Sequence, residues 1–454
     1  MREVLRSAVT PAYILLCIVL GGSVQGIWGV AALQLLAILI IGWSILAKGR
    51  EKLSRSTKAL LAIVGLAILL PLFQLVPLPP SVWTALPGRK SVAAGYALLS
   101  EPLPWLPISF APYDTMETVQ TLLPPVAVLA AMLVANGYRA SWIVIAILVG
   151  TLAAVLLGAL QVGSADPVTS PWYLYSVTNF GLAAGFFANS NHMATLLLIS
   201  IPMLFALVAD LNRKADNSKA GSGVLLLMVA GILVLLVGIF LNGSLAVLLL
   251  GLPVVMISAA ILIPEGMRLR GVAGALALVS IAGILAVYLT PMQDKIVASN
   301  ATSFNTRQTM WTNTLPAIKD HGLLGSGIGS YSKVYPQYED QSAVDTTYVN
   351  HAHNEYLEIA TEAGVPGILL LLAFLIWWGS STARIWRSAA ADRYAVAATI
   401  ASAAMLIHSL VDYPLRTATL STIMAACLAL MARPRSWDHT KSDDLWPVTR
   451  HLSV

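Results

Sequence analysis

Seven histidines stand in this 454-residue chain, and their placement is uneven. His439 and His451 lie in a polar C-terminal stretch, His192 opens an apolar run and His408 sits inside another, while His321, His351 and His353 share one long polar segment. The stretch His353-Asn354-Glu355-Tyr356-Leu357-Glu358-Ile359-Ala360-Thr361-Glu362-Ala363-Gly364 reads as a short amphipathic helix. Asn350 can cap its start, and Gly364 with Pro366 ends it or leads into the apolar run that follows. This reading places His353 in the first turn, where the helix N-terminus disfavours an imidazolium. A neutral imidazole suits proton abstraction from a hydroxyl. A helix-end histidine with a structural hydrogen bond fits the same spacing.

Arg307 lies on the same segment, followed by Trp311, Lys319 and the run Gly325-Ser326-Gly327-Ile328-Gly329. An arginine fork suits a bidentate grip on phosphate, and a solvated surface arginine fits equally. The glycine run is neither a dinucleotide fingerprint, since no strand precedes it, nor a P-loop, since no Gly-Lys-Ser/Thr closes it. It supports a turn whose amides could face an anion. Asn189-Ser190-Asn191-His192 sits where a polar segment meets an apolar one, and either caps a helix or lines a site. His408, inside an apolar run, is followed by Asp412 and Arg416, which either serve a function at membrane depth or clasp each other.

The elements that hold these residues are membrane helices. The chain is 57% hydrophobic and 11% charged, against roughly 25% charged in soluble domains. A spanning helix needs roughly 20 mostly apolar residues, and about twelve such runs are expected: 11–27, 29–47, 59–75, 116–135, 142–160, 192–208, 224–241, 245–263, 272–289, 365–378, 394–410 and 418–431. The fold class is therefore an all-α polytopic membrane protein, one transmembrane domain over 1–433 with a polar tail over 434–454. The first apolar run has no small-residue cleavage site and reads as a retained helix. Most of the 27 Lys and Arg residues fall in alternate short loops and the two tails, which makes those sides cytoplasmic. Both termini then share that side, in agreement with an even number of spans. The opposite face holds three longer segments, 77–114, 161–191 and 291–364, and with them most of the candidate chemistry. The net charge of +5 is spread through these short loops and gives no reason to expect nucleic acid. Cys17 and Cys427 lie in apolar runs and form neither a disulfide framework nor a metal motif.

The pattern His353-Asn354, nine residues, Gly364, two residues, Gly367 resembles the signature of the bacterial O-antigen ligase and O-antigen polymerase superfamily. Arg307, Trp311 and the glycine run resemble the start of that family's large periplasmic loop, and Phe187-Ala188-Asn189-Ser190-Asn191-His192 resembles its Asn-rich approach to a membrane helix. The resemblance covers about residues 187–416. It implies a polytopic inner-membrane glycosyltransferase that needs no metal or other cofactor. Such an enzyme moves a glycan from undecaprenyl diphosphate onto an acceptor hydroxyl in the periplasm, either lipid A-core or another lipid-linked glycan. It further implies that His353 orients or deprotonates the acceptor and that Arg307 holds the diphosphate. Asn354, Arg416, Asn191, His192, Trp311 and Lys319 are the substrate-binding candidates. One departure stands out: many ligases carry Arg where this chain has Leu245, after Asn242-Gly243-Ser244. Arg416 is the candidate substitute, and the loss weakens the case for a strict lipid A-core ligase, with a polymerase of exopolysaccharide or O-antigen close behind. A transporter is the alternative of another class; it would carry polar groups at the membrane midplane in two matching halves, and no such halves are visible.

Overall fold

The computed structural model describes residues 2–23, 27–47, 52–214, 218–262, 274, 292–339, 342, 349–388 and 391–433. Among them the chain is helical, with no strand and one isolated antiparallel bridge between Leu78 and Leu106. Backbone polar groups in a bilayer must be satisfied within the segment, and the helix does this. Eight helices are long and apolar enough to cross a membrane, and three shorter apolar helices accompany them. The chain is a multi-pass membrane protein.

In chain order α1 is Arg2–Leu20, α2 Ile27–Leu46 and α3 Arg55–Gln74. Two short helices follow, α4 Pro80–Trp83 and α5 Lys90–Leu98. Next come α6 Pro112–Thr121 and α7 Leu123–Leu129, the latter continued by a π turn over Ala130–Val134. Then come α8 Ala140–Val162, α9 Ser190–Lys214, α10 Ser218–Asn242 and α11 Leu245–Leu262. The remainder are α12 Met292–His321, α13 Tyr331–Val334, α14 Glu355–Trp386, α15 Arg393–His408 and α16 Ala418–Ala432. Eleven of the expected spans coincide with these helices. The expected span 272–289, the basic residues Arg268 and Arg270, and the tail 434–454 lie outside the described residues.

Three boundaries differ from expectation. α1 starts at Arg2 and carries Pro11 inside it, where the sequence reading began at Pro11. The span expected over 116–135 is made of α6, α7 and the π turn, because Pro124 and Pro125 supply no backbone donors. The amphipathic helix from Glu355 and the span after it form one element, broken at Gly364, whose φ of 58° and ψ of −151° are not helical.

α9 is the hub of the bundle: 94% of its apolar window is buried, against α8, α10, α11 and α15. The polar segments are tied to the bundle by side chains that serve backbone groups. Gln161 at the end of α8 donates to the carbonyls of Trp172 and Gly185 and accepts from the amides of Ala184 and Gly185. Gln74 at the end of α3 donates to the carbonyls of Leu324 and Glu362 and accepts from the Ile328 amide. Trp83 donates to the Pro104 carbonyl, and Arg89 reaches the Pro107 carbonyl while lying 3.8 Å over the Phe110 ring.

Candidate active site

The site is organised by a turn of eight residues between α15 and α16, Ser409-Leu410-Val411-Asp412-Tyr413-Pro414-Leu415-Arg416. The amides of Val411 and Asp412 return to the His408 carbonyl, Pro414 opens a single 3-10 turn, and Thr417 caps α16. α14 docks on this turn: the Glu355 amide donates to the Ser409 carbonyl, the Leu415 amide donates to Glu355 Oε1, and Asn354 Nδ2 donates to the Leu410 carbonyl. Asp412, Tyr413 and Arg416 therefore leave one rigid turn toward three neighbours.

Asp412 is fully buried, and four expected site residues meet on it. Asn191 Nδ2 donates to Oδ2 at 2.7 Å, and Arg307 Nη2 donates to the same oxygen at 3.2 Å. The Tyr413 amide donates to Oδ1 at 2.8 Å. His192 Nε2 and His353 Nδ1 each stand 3.7 Å from Oδ1, close enough to pair as charges and too far for a direct hydrogen bond. Asn191 is itself oriented by Ser244, whose hydroxyl donates to Oδ1 at 3.0 Å. Burial alone would raise the Asp412 carboxyl; the His192 and His353 imidazoles outweigh it and hold the group well below the ordinary carboxylate value.

A second cluster lies one turn further along. Arg416 Nη2 stands 3.0 Å from both Glu358 Oε1 and Glu362 Oε2, two fully buried carboxylates on α14. His351 Nδ1 lies 2.8 Å from Glu358 Oε1, and the Ala352 amide donates to Oε2 at 3.1 Å. Burial opposes the Arg416 charge, but Glu358, Glu362 and Glu355 together raise its pKa above the ordinary value. Tyr413 separates the clusters: its ring centroid is 4.2 Å from His351, 4.9 Å from His353 and 5.0 Å from His192. Burial pushes its phenol up to about 12. A cavity of about 250 Å³ opens beside them, lined by His192, His351, His353, Tyr413 and Arg416 together with Asn179, Asn189 and Asn350.

The structure moves His353 from the place expected for it. Asn354 caps α14, accepting from the amides of Tyr356 and Leu357, so His353 precedes the cap and is not in the first helical turn. Its φ is 48°, a left-handed conformation that costs a bulky residue on the order of 1 kcal/mol and recurs at functional sites. The glycine run has a different task from the anion turn considered for it. The amides of Ser326 and Gly327 donate to the carbonyls of Thr361 and Glu362, and the Val365 amide donates to the Gly322 carbonyl. A Cβ on Gly325 would lie 2.1 Å from the Glu362 carbonyl oxygen, and one on Gly364 would lie 2.6 Å from the Gly325 nitrogen. Just beyond the loop, the Tyr331 amide donates to Glu362 Oε1 at 2.9 Å.

Of the remaining expected residues, Trp311 donates from its indole to the Ala352 carbonyl at 3.0 Å and so braces the strip that carries both histidines. The Asn354 amide is engaged in its cap and its bond to the turn. Lys319 is exposed, twelve residues further along α12 from Arg307, about 18 Å along a helix axis, and the structure does not bring it to the cluster. Asp412, Glu358 and His351 were not among the residues selected from sequence. His408 donates to or accepts from Thr195 at 2.6 Å deep between α9 and α15 and does not line the cavity. Among the described residues, no group of three or more His, Cys, Asp or Glu side chains is arranged to hold a metal ion.

No curated protein matches the chain. Residues 230–372 match a family model described as O-antigen ligase. The matched stretch carries Arg307, Trp311, His351, His353, Glu358, Glu362 and Gly364, while Asn191, His192, Asp412 and Arg416 complete the site from outside it. Over that stretch, about a third of the chain, this membrane protein is similar to the O-antigen ligase family, in line with the resemblance carried by its sequence signature.

Proposed function

We propose that the protein transfers a glycan from undecaprenyl diphosphate to an acceptor hydroxyl, at a site on the periplasmic face of the bacterial inner membrane, with both termini cytoplasmic. The observation that carries this reading is a set of nitrogens left over around Asp412. Arg307 Nε, both ring nitrogens of His192 and Nδ1 of His353 are buried without a hydrogen-bond partner among the described residues. Unmet buried polar atoms are costly, on the order of 1–3 kcal/mol each, and the oxygens of a diphosphate would accept from Arg307 Nε and from whichever imidazole nitrogens carry hydrogen.

In this reading Arg307 and His192 hold the diphosphate as it departs with the bonding electrons, where charge develops and fixed donors help most. His353 orients the acceptor hydroxyl toward the anomeric carbon from the cavity wall. Arg416 lines the same cavity, but two glutamates already neutralise it. It therefore sets the shape and field of the acceptor side more than it replaces the arginine absent at Leu245. The acceptor is lipid A-core for a ligase or a second lipid-linked repeat for a polymerase.

Purified protein in detergent, given an undecaprenyl diphosphate-linked repeat unit as sole substrate, separates these. A ladder of longer lipid-linked products on a gel, absent with His353→Ala, identifies a polymerase. Product only after lipid A-core is added identifies a ligase. No transfer with either acceptor overturns the reading.

A further inference from the structure

Between the end of α8 and the start of α9 the chain carries one charged residue, Asp166. The segment presents Trp172, Leu174, Val177, Phe180 and Leu182 to its surroundings, Val177 with 66% of its surface uncovered. Tyr173 gathers these residues into one patch. Its hydroxyl accepts from the Gly181 amide and donates to the Leu182 carbonyl, and its ring meets Phe180 edge to face at 5.1 Å. A contiguous exposed apolar patch marks a protein or a membrane interface.

The packing of the segment decides between the two. α8 is 23 residues long, which is about 34 Å along its axis and close to the roughly 30 Å of a hydrocarbon core. After α8 the chain turns back along it. A Cβ on Gly185 would lie 3.0 Å from the Ala154 carbonyl oxygen, and one on Gly158 would lie 3.0 Å from the Ala183 Cβ. Ala154 stands eight residues before Val162, about 12 Å down the helix. The segment therefore re-enters beside α8 before α9 begins. Irregular backbone at such depth needs its polar groups met by protein, and side chains meet them here. Gln161 serves Trp172, Ala184 and Gly185, Asn242 Nδ2 donates to the Ala183 carbonyl, and Tyr175 donates to the Phe186 carbonyl. The patch also continues an outward stripe of α8, where Val149, Leu152, Leu156 and Leu160 are exposed at helical spacing up to the start of the segment.

We propose that residues 172–182 form a re-entrant element whose apolar side chains lie among the acyl chains of the leaflet beside the site. Its partner is the bilayer itself. Trp172 sits at the boundary between acyl chains and headgroups, the level that indole rings favour. Val177 also lines the cavity, next to Thr178 and Asn179, so one wall of the cavity is held at the depth of the lipid headgroups. The assignment is independent of the transfer reading.

The test uses the full chain in vesicles of phosphatidylethanolamine and phosphatidylglycerol, with an environment-sensitive fluorophore on one added thiol. Cys17 and Cys427 are buried, and the unchanged chain serves as the labelling blank. Labels on Leu174→Cys and Leu182→Cys are expected to be quenched by lipids that carry a nitroxide on the acyl chain. Both should be several-fold less accessible to aqueous iodide than a label on Lys319→Cys, an exposed position of α12. Iodide quenching equal to that at Lys319→Cys overturns the proposal. Protection from both quenchers also overturns it, because it places a protein partner or a second copy over the patch. If one of the two variants does not fold, the other decides.

Discussion

The two clusters that meet at Tyr413 are built from the same residue types in opposite proportion. Around Asp412, one carboxylate serves an arginine and two imidazoles, and buried nitrogens are left over. Around Arg416, one arginine serves Glu358 and Glu362, with Glu355 close enough to add to its field, and His351 is bonded to the surplus. The first arrangement is short of acceptors and suits an incoming anion. The second has acceptors to spare and suits taking up a proton. A leaving diphosphate and a hydroxyl losing its proton need these two environments within one cavity, and a single turn carries the organising residue of each, Asp412 and Arg416.

Removing Asp412 should have the largest effect. Asp412→Ala leaves Arg307 without its carboxylate in a partly buried setting, which is worth about 3 kcal/mol of stability, and it lowers transfer by on the order of 10²–10³-fold. Thermal unfolding in detergent and the gel assay measure the two losses. A variant that unfolds normally and turns over normally would dissolve the first cluster as a functional unit.

Arg416→Ala tests the second cluster. It leaves Glu358 and Glu362 buried without their cation, so stability should fall by about 2 kcal/mol or more, while donor affinity changes little. The reverse pattern, intact stability with donor affinity lost, would move Arg416 into the diphosphate-binding set. Gly364→Ala strikes the support beneath both glutamates. Its positive φ and the Gly325 backbone 2.6 Å away predict a loss of roughly 1–3 kcal/mol, read as a lower melting temperature.

The Asp412 pairing should also have a defined pH signature. Its folded-state pKa is depressed, so its contribution is complete above the unfolded value of about 3.9 and is lost as pH falls through the folded value. The difference in melting temperature between the unchanged protein and Asp412→Asn should stay constant from about pH 7 to pH 5 and close only below about pH 4. Closure near pH 6 would contradict the assignment. The smallest effect is expected from Lys319→Ala, which belongs to neither cluster and should change turnover by less than about twofold; a large loss would place Lys319 on a substrate path outside the cavity.

Much of this was legible before the structure, and the misses share a cause. Spans such as α8 and α10 are long apolar runs, and hydropathy alone finds them. Asn191 and His192 were selected as a polar cluster beside an apolar run, and His353 and Arg307 through the helix-start and phosphate-fork readings together with the family resemblance. Asp412 was read with Arg416 as either functional or a mutual clasp, and its partners were not foreseen. Its real partners, Asn191 and Arg307, stand 221 and 105 residues away, and no local pattern reports such a pairing. The position of His353 was missed by one residue class: Asn350 and Asn354 are both good caps, and tertiary docking on the turn through Leu410 selects Asn354. The glycine run was correctly seen as a turn, but its amides are consumed by α14, which only close backbone approach at Gly325 and Gly364 reveals. His351 was noted among the histidines of the long polar segment but given no role, because its spacing to Glu358 acquires meaning only once the strip before α14 folds back along the helix.

The most direct test of the account is the affinity of purified protein in detergent for undecaprenyl diphosphate itself, compared between the unchanged chain and Arg307→Ala. Hydrogen bonds to a charged group are worth about 1.5–3 kcal/mol, so the variant should bind roughly 10- to 100-fold more weakly while remaining folded. Equal affinity would contradict the claim that the cluster around Asp412 receives the diphosphate.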